Sequence, residues 1–256
     1  MKAGEASETA RRVAAHRLTF ERVPAPYGDA AADELLAGDV AGSVSVAGST
    51  ESMVAYLAAR TAFFDRVVCG ALERGLQQAV IAGAGYDGRA LRYAKPGVRW
   101  FEIDHPDTQS DKLERLERLG IGTAHAAFVP ADFAVDDVAT AVVAAGQQPD
   151  VASLFLCEGV AIYLERSVLE SLMRDLRGIA AAGSRLAISI SVSANSTAEA
   201  VRRTAFRAAV AAMGEPARTV LSPDELDALL AATGWTVTPS SSERAQLAGL
   251  LVLEPT

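Results

Sequence analysis

AVIAGAGYDGRALRYAKPGVRWFEID, residues 79–104, is the stretch that decides the fold. Ala79 to Ala82 reads as a short apolar strand. Gly83, Gly85 and Gly88 then free the next turn of side chains, as a backbone needs where it passes close to a ligand. A helix over 88–94 and a second strand, Trp100 to Ile103, complete the unit. Asp104 ends that strand 21 positions after Gly83, a spacing that suits a carboxylate gripping the two hydroxyls of a ribose. Strand, glycine turn, helix, strand and terminal carboxylate together make the nucleotide half-site of a Rossmann-like sheet.

Outward from this unit, apolar strands alternate with amphipathic helices. The spacing predicts helices over 108–119, 135–145, 167–182, 196–213 and 223–232. It predicts strands at 126–129, 151–157, 185–192, 235–238 and 248–253. Ser222-Pro223-Asp224-Glu225 is a capping box with Gly234 past the helix end, and Asp111 to Arg115 carries an i, i+4 ion pair. Upstream, a basic helix over Thr9 to Arg22 leads to a turn at Gly28 and a short helix ending near Gly38. Ser49 or Thr50 then caps a helix to about Glu73, with Met53, Leu57, Phe64, Val67 and Val68 as its buried stripe. The expected architecture is α/β: a doubly wound, seven-stranded, mostly parallel sheet in a single domain over 1–256. Residues 1–75 form an N-terminal helical cap and lid, and 76–256 the core.

Composition excludes several functions. The 256 residues carry a formal charge of -8, which repels a nucleic-acid backbone. No apolar run reaches the length of a membrane span and the first residues lack an apolar signal core, so a soluble cytoplasmic protein is expected. Cys69 and Cys157 stand in no metal-ligand or redox spacing, and read as reduced, buried small hydrophobes. No metal is expected. Monomer and homodimer both fit the sequence.

The glycine spacing alone equally fits a nicotinamide or flavin site. Asp87 argues against both: a carboxylate inside a pyrophosphate cradle would meet phosphate charge at a cost on the order of several kcal/mol. S-adenosylmethionine, with the same adenosine but a sulfonium and an amino acid in place of phosphates, tolerates an acidic loop.

IAGAGYDGRALRY, FEIDHP and FLCEGVAIYL, with STESMVAYLAARTAFFDRVV upstream, resemble the leucine carboxyl methyltransferase family of class I S-adenosylmethionine-dependent methyltransferases. The resemblance covers roughly residues 10–190 and departs from the family pattern at Gly88, where threonine is usual. It implies that Gly83, Ala84, Gly85, Asp87 and Arg89 of the glycine loop, Asp104 and His105, Asp132 and Phe133, and Glu158 line the cofactor site. Asp104 would bind the ribose, Asp132 the adenine amino group and Phe133 its ring. Glu158 would hold the ammonium or orient its loop, and Arg60 would hold the methionine carboxylate, with Arg17 a further candidate. Arg89 reads either as a ligand contact or as an ion-pair partner of Asp87. S-adenosylhomocysteine would be the product.

The reaction expected is displacement of the sulfonium methyl by an oxygen. A carboxylate acceptor needs no base; a phenol or alcohol does. His16 is the candidate base on the cap side, with His105 and His125 behind it, and Tyr163 a candidate to orient the acceptor. Phe20, Tyr27, Tyr163 and Asn195 are expected around a small-molecule acceptor, and the resemblance to bacterial members implies one of secondary metabolism. Three rivals stay open: methylation of a protein C-terminal carboxylate, a nicotinamide-dependent oxidoreductase, and a non-catalytic binding module.

Overall fold

A computed structural model describes residues 6–46, 49–193, 217–239, 241, 246 and 248–256. Seven strands form one sheet: β1 (Gln78–Ala82), β2 (Arg99–Asp104), β3 (Ala126–Pro130), β4 (Ser153–Cys157), β5 (Arg185–Ser189), β6 (Trp235–Val237) and β7 (Leu250–Pro255). Their order is β3-β2-β1-β4-β5-β7-β6, parallel except for β7, which runs antiparallel to both β5 and β6. The strand order reverses between β1 and β4. In an open α/β sheet that is where a crevice opens at the carboxyl ends of the strands.

β1 and β4 are buried along their whole length, as strands covered on both faces must be. Alternation sorts their side chains: Val80, Ala82 and Phe155 enter one core layer, and Ala79, Ile81, Leu154 and Leu156 the other. α6 (Val138–Ala144), α7 (Arg166–Gly178) and α8 (Pro223–Thr233) pack on the first layer. The second is covered by α3 (Glu51–Glu73) and the one-turn α4 (Arg89–Arg92). α1 (Glu8–Arg17) and α2 (Ala30–Ala41) pack on each other, while α5 (Pro106–Arg118) follows β2.

Helix starts follow local chemistry. Ser7, Asp29, Thr50 and Asp137 each accept a backbone N–H of the first turn, and Ser222 with Glu225 forms the expected capping box. Arg115 pairs with Asp111 at 2.7 Å, and Gly234 ends α8 in the left-handed region. Several boundaries differ from expectation: β5 ends at Ser189 rather than 192, and α2 runs on to Ala41. α1 stops at Arg17, where Thr19 turns its hydroxyl back onto the His16 carbonyl; α6 starts only after its Asp137 cap; α7 ends at Gly178. The helix expected over 196–213 lies outside the described residues. Both cysteines are buried free thiols, and no helix among the described residues is long and apolar enough to cross a membrane.

Candidate functional site

The loops after β1 and β4 meet at the switch point. The backbone N–H groups of Gly83 and Ala84 both donate to the Ile103 carbonyl, and that of Gly85 donates to Asp104 Oδ2, so the glycine loop is sewn to the end of β2. Asp104 Oδ1 accepts from the His105 N–H at 2.7 Å. Burial raises the Asp104 pKa despite those two donors. Gly83 and Gly85 sit at φ of +70° and +50°, where a side chain is strained. Their bareness also serves the protein's own packing. A Cβ on Gly83 would stand 2.0 Å from Val160, and one on Gly85 would stand 2.9 Å from Ala10 of α1. The cap therefore rests directly on the loop.

Beneath the loop runs a ladder of buried ions, which overturns the isolated view of Asp87. Its Oδ2 meets Arg17 at 3.2 Å and Arg89 at 2.5 Å, and its Oδ1 accepts the Arg89 N–H. Burial would push this carboxyl up, but the two guanidiniums hold it below its ordinary range. An acidic charge neutralised in this way does not repel a phosphate as a bare one would, so Asp87 does not by itself decide between a phosphate and a sulfonium ligand. Of the two readings of Arg89, the ion pair with Asp87 is the one the structure displays. The arginine side chain is completely buried, outside the cavity wall, and joins Asp87, Glu158 and Asp65.

Glu158 is likewise committed. Oε1 takes Arg60 Nε at 3.0 Å and Oε2 takes Arg89 and Arg17, and these cations outweigh burial to hold its carboxyl far below the usual range. It holds three arginines together at the cavity wall. Arg60 lies over Gly159, where a Cβ would come within 3.0 Å of its guanidinium. Through Asp65, Arg22, Asp33 and Arg92 the ladder reaches the connecting segment, α2 and α4. Five guanidiniums face four buried carboxylates.

Asp65 makes the ladder's pH response explicit. Burial pushes its carboxyl up, but Arg89 and Arg22 prevail and leave it at about 2. A native pKa below the unfolded value of about 3.9 means stability that is present above pH 4 and is lost as pH falls towards 2, about 2 kcal/mol for this group. Asp87 and Glu158 act in the same direction. Glu102, raised by burial despite its pairing with Lys112, acts in the opposite one. Urea midpoints measured from pH 6 to pH 3 should therefore fall, with an unchanged slope. A flat profile would contradict the ladder.

Above the ladder opens a cavity of about 700 Å³. α1 contributes Thr9, Val13, His16 and Arg17, a single helical face at i, i+4, i+7 and i+8. The core contributes the glycine loop, Asp104, His105, Asp132, Phe133, Glu158 and Tyr163, and α3 contributes Met53, Leu57 and Arg60. His105 also caps α5, and Asp132 accepts from the Ala134 N–H to shape its own loop. Two buried polar atoms on this wall have no partner among the described residues, Arg17 Nε and Thr9 Oγ1. Phe20 stands behind the wall, stacked on His16 and packed with Met53 and Leu57. Tyr27 is displaced altogether. It packs in the second core layer under Lys95, ten residues beyond the end of α1 along a segment with no regular secondary structure. Asn195 lies outside the described residues.

The model of the leucine carboxyl methyltransferase family matches residues 10–177, well over half of the chain. The chain belongs to that family.

Among relatives, a protein of Parafrankia sp. (strain EAN1pec) is 40% identical over 142 residues, 54% of this chain and 45% of the relative. One of Mycobacterium ulcerans is 35% identical over 185 residues, 69% and 58% of the respective chains. Both are named, provisionally, S-adenosyl-L-methionine-dependent methyltransferases, and the chain spans about half the length of such relatives. The fold is shared with a provisionally named methyltransferase of Thermobifida fusca, at a TM-score of 0.61 and 14% identity over 100% of this chain and 96% of that one. It is also shared with a DUF574 family protein of Streptomyces avermitilis, at 0.60 and 15% over 98% of each.

The structure explains where this leucine carboxyl methyltransferase relative departs from the family pattern. A Cβ on Gly88 would stand 1.8 Å from Asp33 Oδ1 and 2.6 Å from its carboxyl carbon. Asp33 is buried and pinned by Arg22 and Arg92, so it has no room to yield. Gly88→Thr is accordingly expected to destabilise by about 1–3 kcal/mol, read as a lower urea midpoint. Asp33→Ala in the same chain should recover part of that loss; full tolerance of threonine alone would refute the steric account. Sequence reasoning missed Asp33, Asp65, Arg22 and Thr9. Only the α1 face carried a readable signal, the i, i+4, i+8 spacing of Thr9, Val13 and Arg17.

Proposed function

We propose that this chain is an S-adenosylmethionine-dependent O-methyltransferase for a small-molecule acceptor, working as one unit with residues 1–75 as its cap. The observation that carries the reading is the pairing of two features on either side of β1. A carboxylate ends β2 at the cavity, and a guanidinium-rich wall with a buried, unpartnered Arg17 Nε stands beside the loop after β4. The first fits a ribose diol. The second fits a carboxylate, whose two oxygens match a guanidinium's planar fork of donors.

Asp104 would accept from the ribose hydroxyls, Phe133 would cover the adenine, Asp132 would face its amino group, and Arg17, Arg60 and Thr9 would hold the amino-acid end. When bound, the cofactor supplies a methyl group made electrophilic by its sulfonium. The chain's own contribution is to hold the acceptor oxygen in line with that carbon. Such positioning supplies roughly 7–11 kcal/mol of a barrier. A cavity of this size falls within the range of small-molecule sites, which favours a small acceptor over a protein tail.

Calorimetric titration with S-adenosylmethionine, S-adenosylhomocysteine, NADH and NADPH tests this reading. Micromolar binding of the two adenosyl-sulfur ligands alone is expected. Binding of a nicotinamide instead would replace the reading with an oxidoreductase.

A further inference from the structure

The cap side of the cavity holds a hydrogen-bond chain that fixes the state of one imidazole. His16 Nε2 lies 2.9 Å from Ser49 Oγ, and Ser49 Oγ lies 3.0 Å from the Val46 carbonyl. A carbonyl only accepts, so both contacts are hydrogen bonds only when the serine's single proton goes to Val46. Ser49 Oγ then has only lone pairs to offer, and the contact with His16 is a hydrogen bond only if Nε2 carries the proton. Nδ1 is left bare, and it makes no hydrogen bond among the described residues. The ring stacks on Phe20, 6.3 Å between centroids and 6° from parallel. Burial, and then the charge of Arg12, lower its pKa and keep the imidazole neutral.

The surroundings favour one class of acceptor. Val13, Met53, Leu57 and Tyr163 line the cavity beside His16 with apolar and aromatic surface. A carboxylate acceptor would call for a cation here. Arg12 is held through both Nε and Nη2 on Glu8, Arg218 is paired with Glu165, and Arg17 and Arg60 are taken up by Glu158 and by the amino-acid end of the cofactor proposed above.

Building on the methyltransferase reading, we propose that the acceptor is a hydroxyl on a planar group, a phenol or an enol, that His16 Nδ1 is its general base, and that Ser49 is the positioning residue that selects the tautomer. As the acceptor oxygen bonds to the methyl carbon, its proton passes to Nδ1. The carbon–sulfur bond breaks with its electron pair staying on sulfur, which leaves a methyl ether, a thioether and an imidazolium that returns the proton to solvent.

Two measurements on the full chain test this. In protein labelled with ¹⁵N-histidine and saturated with S-adenosylhomocysteine, the His16 resonance, assigned by its loss in His16→Gln, should show Nε2 protonated and Nδ1 bare. Ser49→Ala should mix the tautomers and Ser49→Thr should restore the original one. Transfer of labelled methyl is then followed on 2-naphthol, catechol and a 1,3-diketone, with 2-naphthoate as the carboxylate counterpart. Methyl ethers are expected. His16→Gln should lower kcat about 10²- to 10⁴-fold and Ser49→Ala about tenfold, with KM little changed. S-adenosylhomocysteine affinity should stay within about twofold of wild type in both variants, since neither residue is assigned to cofactor binding. The proposal is overturned by a methyl ester as the product, by ether formation undiminished in His16→Gln, by a protonated Nδ1, or by no ether at all from a protein that binds S-adenosylhomocysteine. Absence of that binding would instead strike the underlying methyltransferase reading.

Discussion

Arg89→Leu is expected to cost about 3–5 kcal/mol, because it strips a cation from three buried carboxylates at once. Asp65 Oδ1 loses its 2.7 Å partner, and Asp87 and Glu158 lose the guanidinium nitrogen they share. None of the three can turn to water: Asp65 is wholly buried and the other two nearly so. A loss of this size is a large part of a domain's typical stability. It should lower the urea midpoint with little change in slope, and lower the melting temperature by some ten degrees. Arg89→Lys keeps the charge but not the planar fork that reaches Asp65 through one nitrogen and the other two carboxylates through another, so it should fall between wild type and leucine. A leucine variant within about 1 kcal/mol of wild type would mean that the ladder contributes far less than a buried ion cluster should.

Asp104→Ala is expected to weaken S-adenosylmethionine and S-adenosylhomocysteine binding at least tenfold, about 1.4 kcal/mol. Two losses combine. The acceptor for the ribose hydroxyls disappears, and so does the anchor that takes the Gly85 and His105 N–H groups and sets the glycine loop on β2. Arg60→Ala should weaken binding by a similar factor, while also leaving Glu158 with one partner fewer. Circular dichroism confirms folding and calorimetry reads affinity. Wild-type affinity in both folded variants would remove the site as drawn.

Much of the fold was legible because its signals are local. Continuous apolar strands, a glycine turn, caps such as Ser222 with Glu225, and Asp104 at the end of a strand all depend on residues a few positions apart. The loops that line the cavity were legible for the same reason, since each follows a strand whose end the hydrophobic pattern marks. The residues before α2 were read less well. Phe20 and Tyr27 are aromatic residues upstream of α2 and seemed equivalent in one dimension, yet the irregular segment between them leaves one behind His16 and takes the other into the second core layer.

By itself, then, the sequence determined the doubly wound sheet and the carboxylate and glycine loop at the ends of its strands, because periodicity and spacing are properties of neighbours along the chain. Only the tertiary structure decided what the charges do. Arg17, Arg22, Asp33, Arg60, Asp65, Asp87, Arg89 and Glu158 are spread over some 140 residues, and their pairing was invisible until the fold brought them within hydrogen-bond reach. The strength and sign of an ion's effect depend on its distance from other ions and from water, and folding alone sets both.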